Sequence, residues 1–438
     1  MYLYFFPAFL PLVSLLPILL TMVGFLAGGL QGLRRRPRTA LVLLTACLLS
    51  ASAAFSFKRY DTARKLGRLP HRFTPESLPT QATVGAWNQL LPRTPLSNLS
   101  YSTHYRLVVY GTEESTLDAI SSEDGRLAFT LRFAEPIVSE PLIHGDRLYV
   151  GEGLHDARHA RLVAVRLPEG VPLWQHEISG HVESGPRLSI NQKNLVGCAG
   201  DAGVYCLAAQ DGGLIWNRPI GHCDTTPWID GRAVYALART ARQRSQLMAL
   251  NFQDGQTEWV IDLPGDPWGT VAHDSRTGHL LVTTGIGQLT PKVDRTEKGW
   301  LHAIDVAKRR VVWTTPIAGM PLLSGILVRL ENRTLAIHAH KNGEILAFDT
   351  RDGSIRWLLR LSGPLLAQPR LIPGTARLVA LAFDGSLYEV DAVSGRVLEK
   401  SHLGTRSTSA PAFGPRWAFF VDRATLWAFP VSEGKLQR

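Results

Sequence analysis

Histidines, cysteines and one acidic turn are the residues of this chain whose types could do chemistry. His338 and His340 sit two apart in an apolar run, so they share one face of a strand, and His155 and His159 sit close together in a polar stretch. Paired imidazoles hold zinc when a thiolate or carboxylate completes the set at ligand spacing. Neither pair has such a neighbour along the chain, so both read as solvated or hydrogen-bonded side chains. Cys198 and Cys206 flank a Gly-Asp-Ala-Gly turn at 200–203. They are either a cross-hairpin disulfide or two small core residues, and Cys47 and Cys223 have no evident partner. Gly285-Ile286-Gly287 precedes no helix and is not a phosphate loop; neither Gly-x-Ser-x-Gly nor His-Glu-x-x-His occurs. His222-Cys223-Asp224-Thr225-Thr226-Pro227 precedes the apolar run Ala233 to Ala238 and reads as turn chemistry opening a strand. No catalytic, cofactor-binding or metal-ligating residue is assigned, and the expectation is a protein without catalytic activity or cofactor.

The elements that must carry these residues repeat. Ile345 to Trp357 reads as a strand, a turn closed by Asp352-Gly353, and a second strand ending in Trp357. The same register starts at Leu117, Leu162, Val204, Leu247, Leu301, Ile345, Leu387 and Leu426. Eight residues after each of the first seven starts stands Gly125, Gly170, Gly212, Gly255, Arg309, Gly353 or Gly395. Twelve after it stands Phe129, Trp174, Trp216, Trp259, Trp313, Trp357 or Glu399. A repeat of about 42 residues made of strands indicates a propeller or solenoid.

Trp87 sits thirty residues ahead of Leu117, as Trp174 does ahead of Val204, so it ends a repeat whose beginning lies elsewhere. Leu426 opens a motif that has no final strand after it. The two halves complete one another, which closes a ring. The predicted fold is therefore all-β: an eight-bladed propeller of four-stranded antiparallel blades over 83–438, closed by an N-terminal strand. A column of small residues (Ala119, Ala164, Cys206, Ala249, Ala303, Ala347, Ala428) allows close sheet approach, with the tryptophans docking between blades. Glu389 and Glu399 break both columns in the seventh blade, where looser packing is expected. The stretch Gly285 to Gly299 is about ten residues longer than its counterparts, the kind of insertion at which partners bind.

The formal charge of +10 is misleading as a nucleic-acid signal. Residues 1–82 hold ten Lys and Arg against Asp61 and Glu76, leaving 37 basic and 35 acidic residues for the rest. The excess belongs beside a membrane, where it meets anionic lipid; nucleic acid is not an expected partner. Residues 3 to 31 are almost wholly apolar, Arg34-Arg35-Arg36-Pro37-Arg38 follows, and Thr39 to Phe57 is apolar again. Residues 1–57 are thus a membrane anchor with a transmembrane helical segment. The readings open are an uncleaved helical hairpin, a signal peptide cut near Ala51-Ser52-Ala53, and a lipoprotein signal ending at Cys47. Each takes the repeats out of the cytoplasm. Residues 58–82, with Pro70, Pro75 and Pro79, read as an extended linker.

Leu346 to Trp357 is similar to the repeat of the pyrroloquinoline-quinone-like propeller superfamily, with Asp305, Asp349 and Asp391 at its aspartate position. The resemblance covers about 83 to 432 and implies eight blades. In the quinoprotein dehydrogenase branch, Asp274 to Gly287 would end in a metal-binding asparagine. Ile286 stands there, and an apolar side chain offers Ca²⁺ no oxygen. The BamB branch, of the outer-membrane β-barrel assembly machinery, is resembled more closely. Asp224-Thr225-Thr226-Pro227 looks like its Asp-x-Asp-Thr-Thr-Pro segment, in which the aspartates help bind the barrel subunit; Asp224 matches the second aspartate and His222 replaces the first. A second family patch falls at Ile178 to Ser184, with His181 in place of an arginine. The resemblance implies a periplasmic scaffold with envelope or membrane proteins as partners; with the apolar, basic N-terminus, the expectation is a monomeric propeller tethered at the inner membrane and meeting lipid through that N-terminus. His222, Asp224, Thr225 and Thr226 are its candidate partner-binding residues, and turn chemistry stays open beside that role. The alternatives are a quinoprotein-like enzyme or degenerate cofactor sensor, and glycan binding through Trp228, Trp268 and Trp417.

Overall fold

A computed structural model describes residues 71–73, 80–83 and 86–437, apart from 156, 289–293, 295 and 405. The predicted anchor and most of the predicted linker lie outside the described residues. Among the described residues no helix is long and apolar enough to cross a membrane. They form eight antiparallel sheets, each built on four strands in simple meander order.

The third blade shows the plan: Arg187–Leu188, Asn194–Cys198, Val204–Ala208 and Leu214–Arg218. First strands of neighbouring blades meet around the axis, where Arg370 of the seventh blade reaches Glu140, just ahead of the second blade's first strand, at 2.6 Å. Middle strands such as Leu107–Gly111 and Thr334–Ala339 are buried along their whole length, because each sheet is covered on both faces by its neighbours. Outer strands such as Arg310–Ala318 alternate between exposed and half-buried positions.

The small and aromatic columns turn out to be cross-strand pairs. Ala119 faces Phe129, Ala164 Trp174, Cys206 Trp216, Ala249 Trp259, Ala303 Trp313 and Ala347 Trp357, and the register slips immediately afterwards in every case. The bulge turns the strand, and the small partner leaves room for the ring to lean toward the next blade. There the indole donates to a carbonyl in the next blade's turn: Trp174 to Ala209 at 3.2 Å, Trp216 to Phe252 at 2.9 Å, Trp357 to Ala392 at 3.2 Å. The turn glycine lies flat on the ring, and a Cβ on Gly212 would stand 2.5 Å from Trp174. The glycine column is thus a docking surface as well as a turn. In the seventh blade Glu389 faces Glu399 directly, and Arg377 approaches Glu389 at 3.4 Å, so a carboxylate stands where the other blades carry the aromatic ring.

Ring closure follows the predicted complementarity. Ala86–Leu90 pairs with Thr425–Ser432, Trp87 opposite Ala428, and the Trp87 indole donates to Ser122 of the first blade. Two further strands start within the predicted linker, the second reaching its end. His71–Phe73 extends the first blade along Leu127–Arg132, and Thr80–Thr83 extends the eighth beyond the closing strand.

Candidate functional site

Alternating strand direction puts the loops between second and third strands, and the connections from one blade to the next, on one face of the ring. Residues 199–203 and the described residues of 152–159 lie in such loops, Gln288 and Glu297 stand at the ends of another, and 179–186 and 219–227 are such connections. This face gathers His155, His181, Glu183, Asp201, His222 and Asp224.

Asp224 is the centre. Its Oδ1 lies 3.0 Å from His181 Nε2 and its Oδ2 lies 2.7 Å from His222 Nε2. His222 Nδ1 in turn meets Asp201 Oδ1 at 2.7 Å. Glu183 stands 4.0 Å from His181 Nε2 and 2.7 Å from His155 Nδ1. His181 is almost wholly buried, whereas His222 and Asp224 side chains are 20% and 27% exposed.

The local backbone is tied down on three sides. A disulfide joins Cys198 to Cys223. Gly200 and Cys223 exchange both backbone hydrogen bonds at 3.0 Å, and His222 and Arg239 do likewise at 2.9 and 2.8 Å. Gly200 has φ 51°, and a Cβ there would come within 2.5 Å of the His181 ring. Only glycine lets that turn pass beneath the imidazole.

Charge is concentrated here. The hydrogen bond to Asp224 is the largest influence on His222, lifting it from 6.5 to about 9. His155 is raised chiefly by Glu183. Burial pushes Asp224 upward, but hydrogen bonds from His181 and His222 outweigh it and hold the carboxyl well below its ordinary range.

Of the four residues singled out from sequence, His222 and Asp224 meet in this cluster. Thr225 is 1% exposed, and its hydroxyl donates to Leu237 at 2.8 Å; Thr226 joins the backbone of Gly269 and Val271. The threonines shape the segment from within. Of the two readings of Cys198 and Cys206, the cross-hairpin disulfide does not hold: Cys206 is a buried free thiol facing Trp216, and Cys198 is disulfide-bonded to Cys223, for which the sequence showed no partner. His155 and His159 were read as lacking a carboxylate. His155 has one in Glu183, contributed by a connection 28 residues further on, while His159 is exposed outside the cluster.

His338 and His340 are both buried, and burial drives each down to about 3. The tryptophans read as exposed glycan platforms are half-buried: Trp228 stacks on His273 at 5.3 Å, and Trp417 packs against the closing blade's core. At the base of the long insertion, buried Lys341 pairs with Glu297 and donates to the Gln288 carbonyl at 2.8 Å. No pairing of that kind was visible from sequence, because its partners stand 44 residues apart.

Ring closure and the repeated tryptophan locks define an eight-bladed β-propeller built of four-stranded antiparallel blades. The family model described as outer membrane protein assembly factor BamB matches residues 101–261 and 297–437. The chain belongs to that family. A curated relative, BamB of Yersinia pestis, is 24% identical over 251 residues, which is 55% of this chain and 58% of the relative. The match thus spans little more than half of that protein. Among solved structures, BamB from Moraxella catarrhalis superposes with a TM-score of 0.55 at 12% identity, over 82% of this chain and all of the other. Sqt1 of Saccharomyces cerevisiae does so with 0.58 at 13% identity and the same coverage. Likeness at that identity carries the fold alone.

Proposed function

We propose that this protein is a non-catalytic scaffold of the cell envelope that docks a protein partner in outer-membrane protein assembly. In this reading the propeller works in the periplasm, held at a membrane by its N-terminal residues. The observation that carries it is the family membership, joined to the place of Asp224: the residue matching the family's partner-contact aspartate stands on a rigid, partly exposed face. The Cys198–Cys223 disulfide is in keeping with an oxidising compartment. Gln288 and Glu297, the described residues at the two ends of the long insertion, stand on the same face.

Co-purification from detergent-solubilised membranes tests it. The full chain should recover a β-barrel assembly subunit, and Asp224→Lys should lose it, since reversing a central interface charge costs several kcal/mol. Recovery of no envelope protein by the wild type, or equal recovery by the variant, would sink the proposal.

A further inference from the structure

The cluster at the mouth of the third blade has the composition and geometry of a transition-metal site. His181, His222 and Asp224 each offer one ligand atom, and these atoms lie within 4.8 Å of one another. Ligands of a tetrahedral zinc at about 2.1 Å stand roughly 3.4 Å apart. The present spacings of 2.7 and 3.0 Å around Asp224 need only a small outward shift to admit an ion. We infer that His181 Nε2, His222 Nε2 and an Asp224 oxygen bind one divalent transition-metal ion.

Four features beyond proximity support this. Both histidines present Nε2 to the same carboxylate from opposite oxygens, so their free nitrogens already converge. His222 is held from behind, its Nδ1 against Asp201 at 2.7 Å, which is the outer carboxylate that fixes a ligating imidazole's tautomer and orientation. The disulfide and the paired backbone of 221–224 keep the ligands from scattering when empty, and Gly200 holds the His181 ring in place. Glu183, 4.0 Å from His181 Nε2, borders a fourth position that also opens to water. Two imidazoles with carboxylate suit zinc and its neighbours, whereas calcium and magnesium take oxygen alone. The second overlapping trio, His155, His181 and Glu183, shares His181, so a single ion satisfies the buried set while Glu183 and His155 remain beside it.

The inference stands apart from the scaffold reading, because ion binding is measured with no partner present. The test uses the full chain in detergent, without a polyhistidine tag, stripped with chelator and dialysed. Zinc chloride is titrated calorimetrically, and cobalt(II) is followed by its visible ligand-field spectrum. The expected result is one equivalent bound, with a tetrahedral-type cobalt spectrum. Loss of a direct ligand should exceed the tenfold to hundredfold effect of an outer one, so His222→Ala and Asp224→Asn should each weaken binding at least about a hundredfold. His159→Ala should leave it unchanged. Circular dichroism melts without metal confirm that each variant is folded, and zinc should raise the wild-type midpoint alone. Absence of stoichiometric uptake by the folded wild type would mean a hydrogen-bond network and nothing more, overturning the inference. So would undiminished binding in both ligand variants.

Discussion

His338 and His340 show how burial alone decides a residue's chemistry. Both lie in the sixth blade, and His302 sits in the fifth between Thr284 and Thr314, each at 3.0 Å. Burial lowers His302 to about 4 and the other two to about 3. All three are neutral in the fold but protonate near 6.5 when the chain unfolds. The unfolded state therefore binds more protons as the medium acidifies, so stability present above about pH 6.5 is lost as pH falls toward the folded values. Each contributes a slope of up to about 1.4 kcal/mol per pH unit. Denaturant titrations between about pH 6 and about pH 5 should show His340→Gln removing one proton's worth of that slope. An unchanged slope would mean that His340 is already charged in the fold. Asp224 sits at the opposite extreme: two imidazoles keep a largely buried carboxylate ionised, and the residues that do so come from separate connections.

Strands and turns act in pairs across the blade boundary. The tryptophan of one blade, the bulge opposite it and the glycine of the next blade's turn form one joint, repeated round the ring. Trp216→Ala empties such a joint, removing a ring that is 6% exposed and leaving the Phe252 carbonyl without its donor. The cost should be about 3–5 kcal/mol by denaturant melt. Exposed Glu399 occupies the same column, yet Glu399→Ala should change stability by no more than about 0.5 kcal/mol. Equal losses at the two positions would show that the column does not act through inter-blade docking. The Cys198–Cys223 link works at this scale too, joining the end of a third-blade strand to the connection leading into the fourth.

For the molecule as a whole, the decisive contact is the one between its described ends. Thr425–Ser432 would be an open edge without Ala86–Leu90, and open edges invite aggregation and local unfolding. A chain lacking residues 1–90 should lose monomer on size-exclusion chromatography and be cleaved first within 412–437 under pulse proteolysis. Protease resistance equal to that of the full chain would show that the closing strand contributes nothing. The site belongs to this scale as well, since its face exists only because successive blades turn the same kind of loop to the same side.

Periodic contacts were legible in the sequence. Ala347 and Trp357, or Cys206 and Trp216, meet through a hairpin whose geometry is set within a dozen residues, and repetition made the pattern readable. Even the closure of Trp87 on Ala428 could be inferred, because a repeat missing its first part and another missing its last are complementary. The acid-histidine cluster had no such signal. His155, His181 and His222 are separated by 26 and 41 residues, on three different segments between strands, and meet only where neighbouring blades stand side by side. The Cys198–Cys223 pairing was illegible for the same reason: the hairpin register sets Cys198 opposite Val204 and Cys206 opposite Val196, and it is the connection to the next blade that brings Cys223 to Cys198. Local periodicity determined the blades and their number; the packing of one blade against the next decided which side chains share a site.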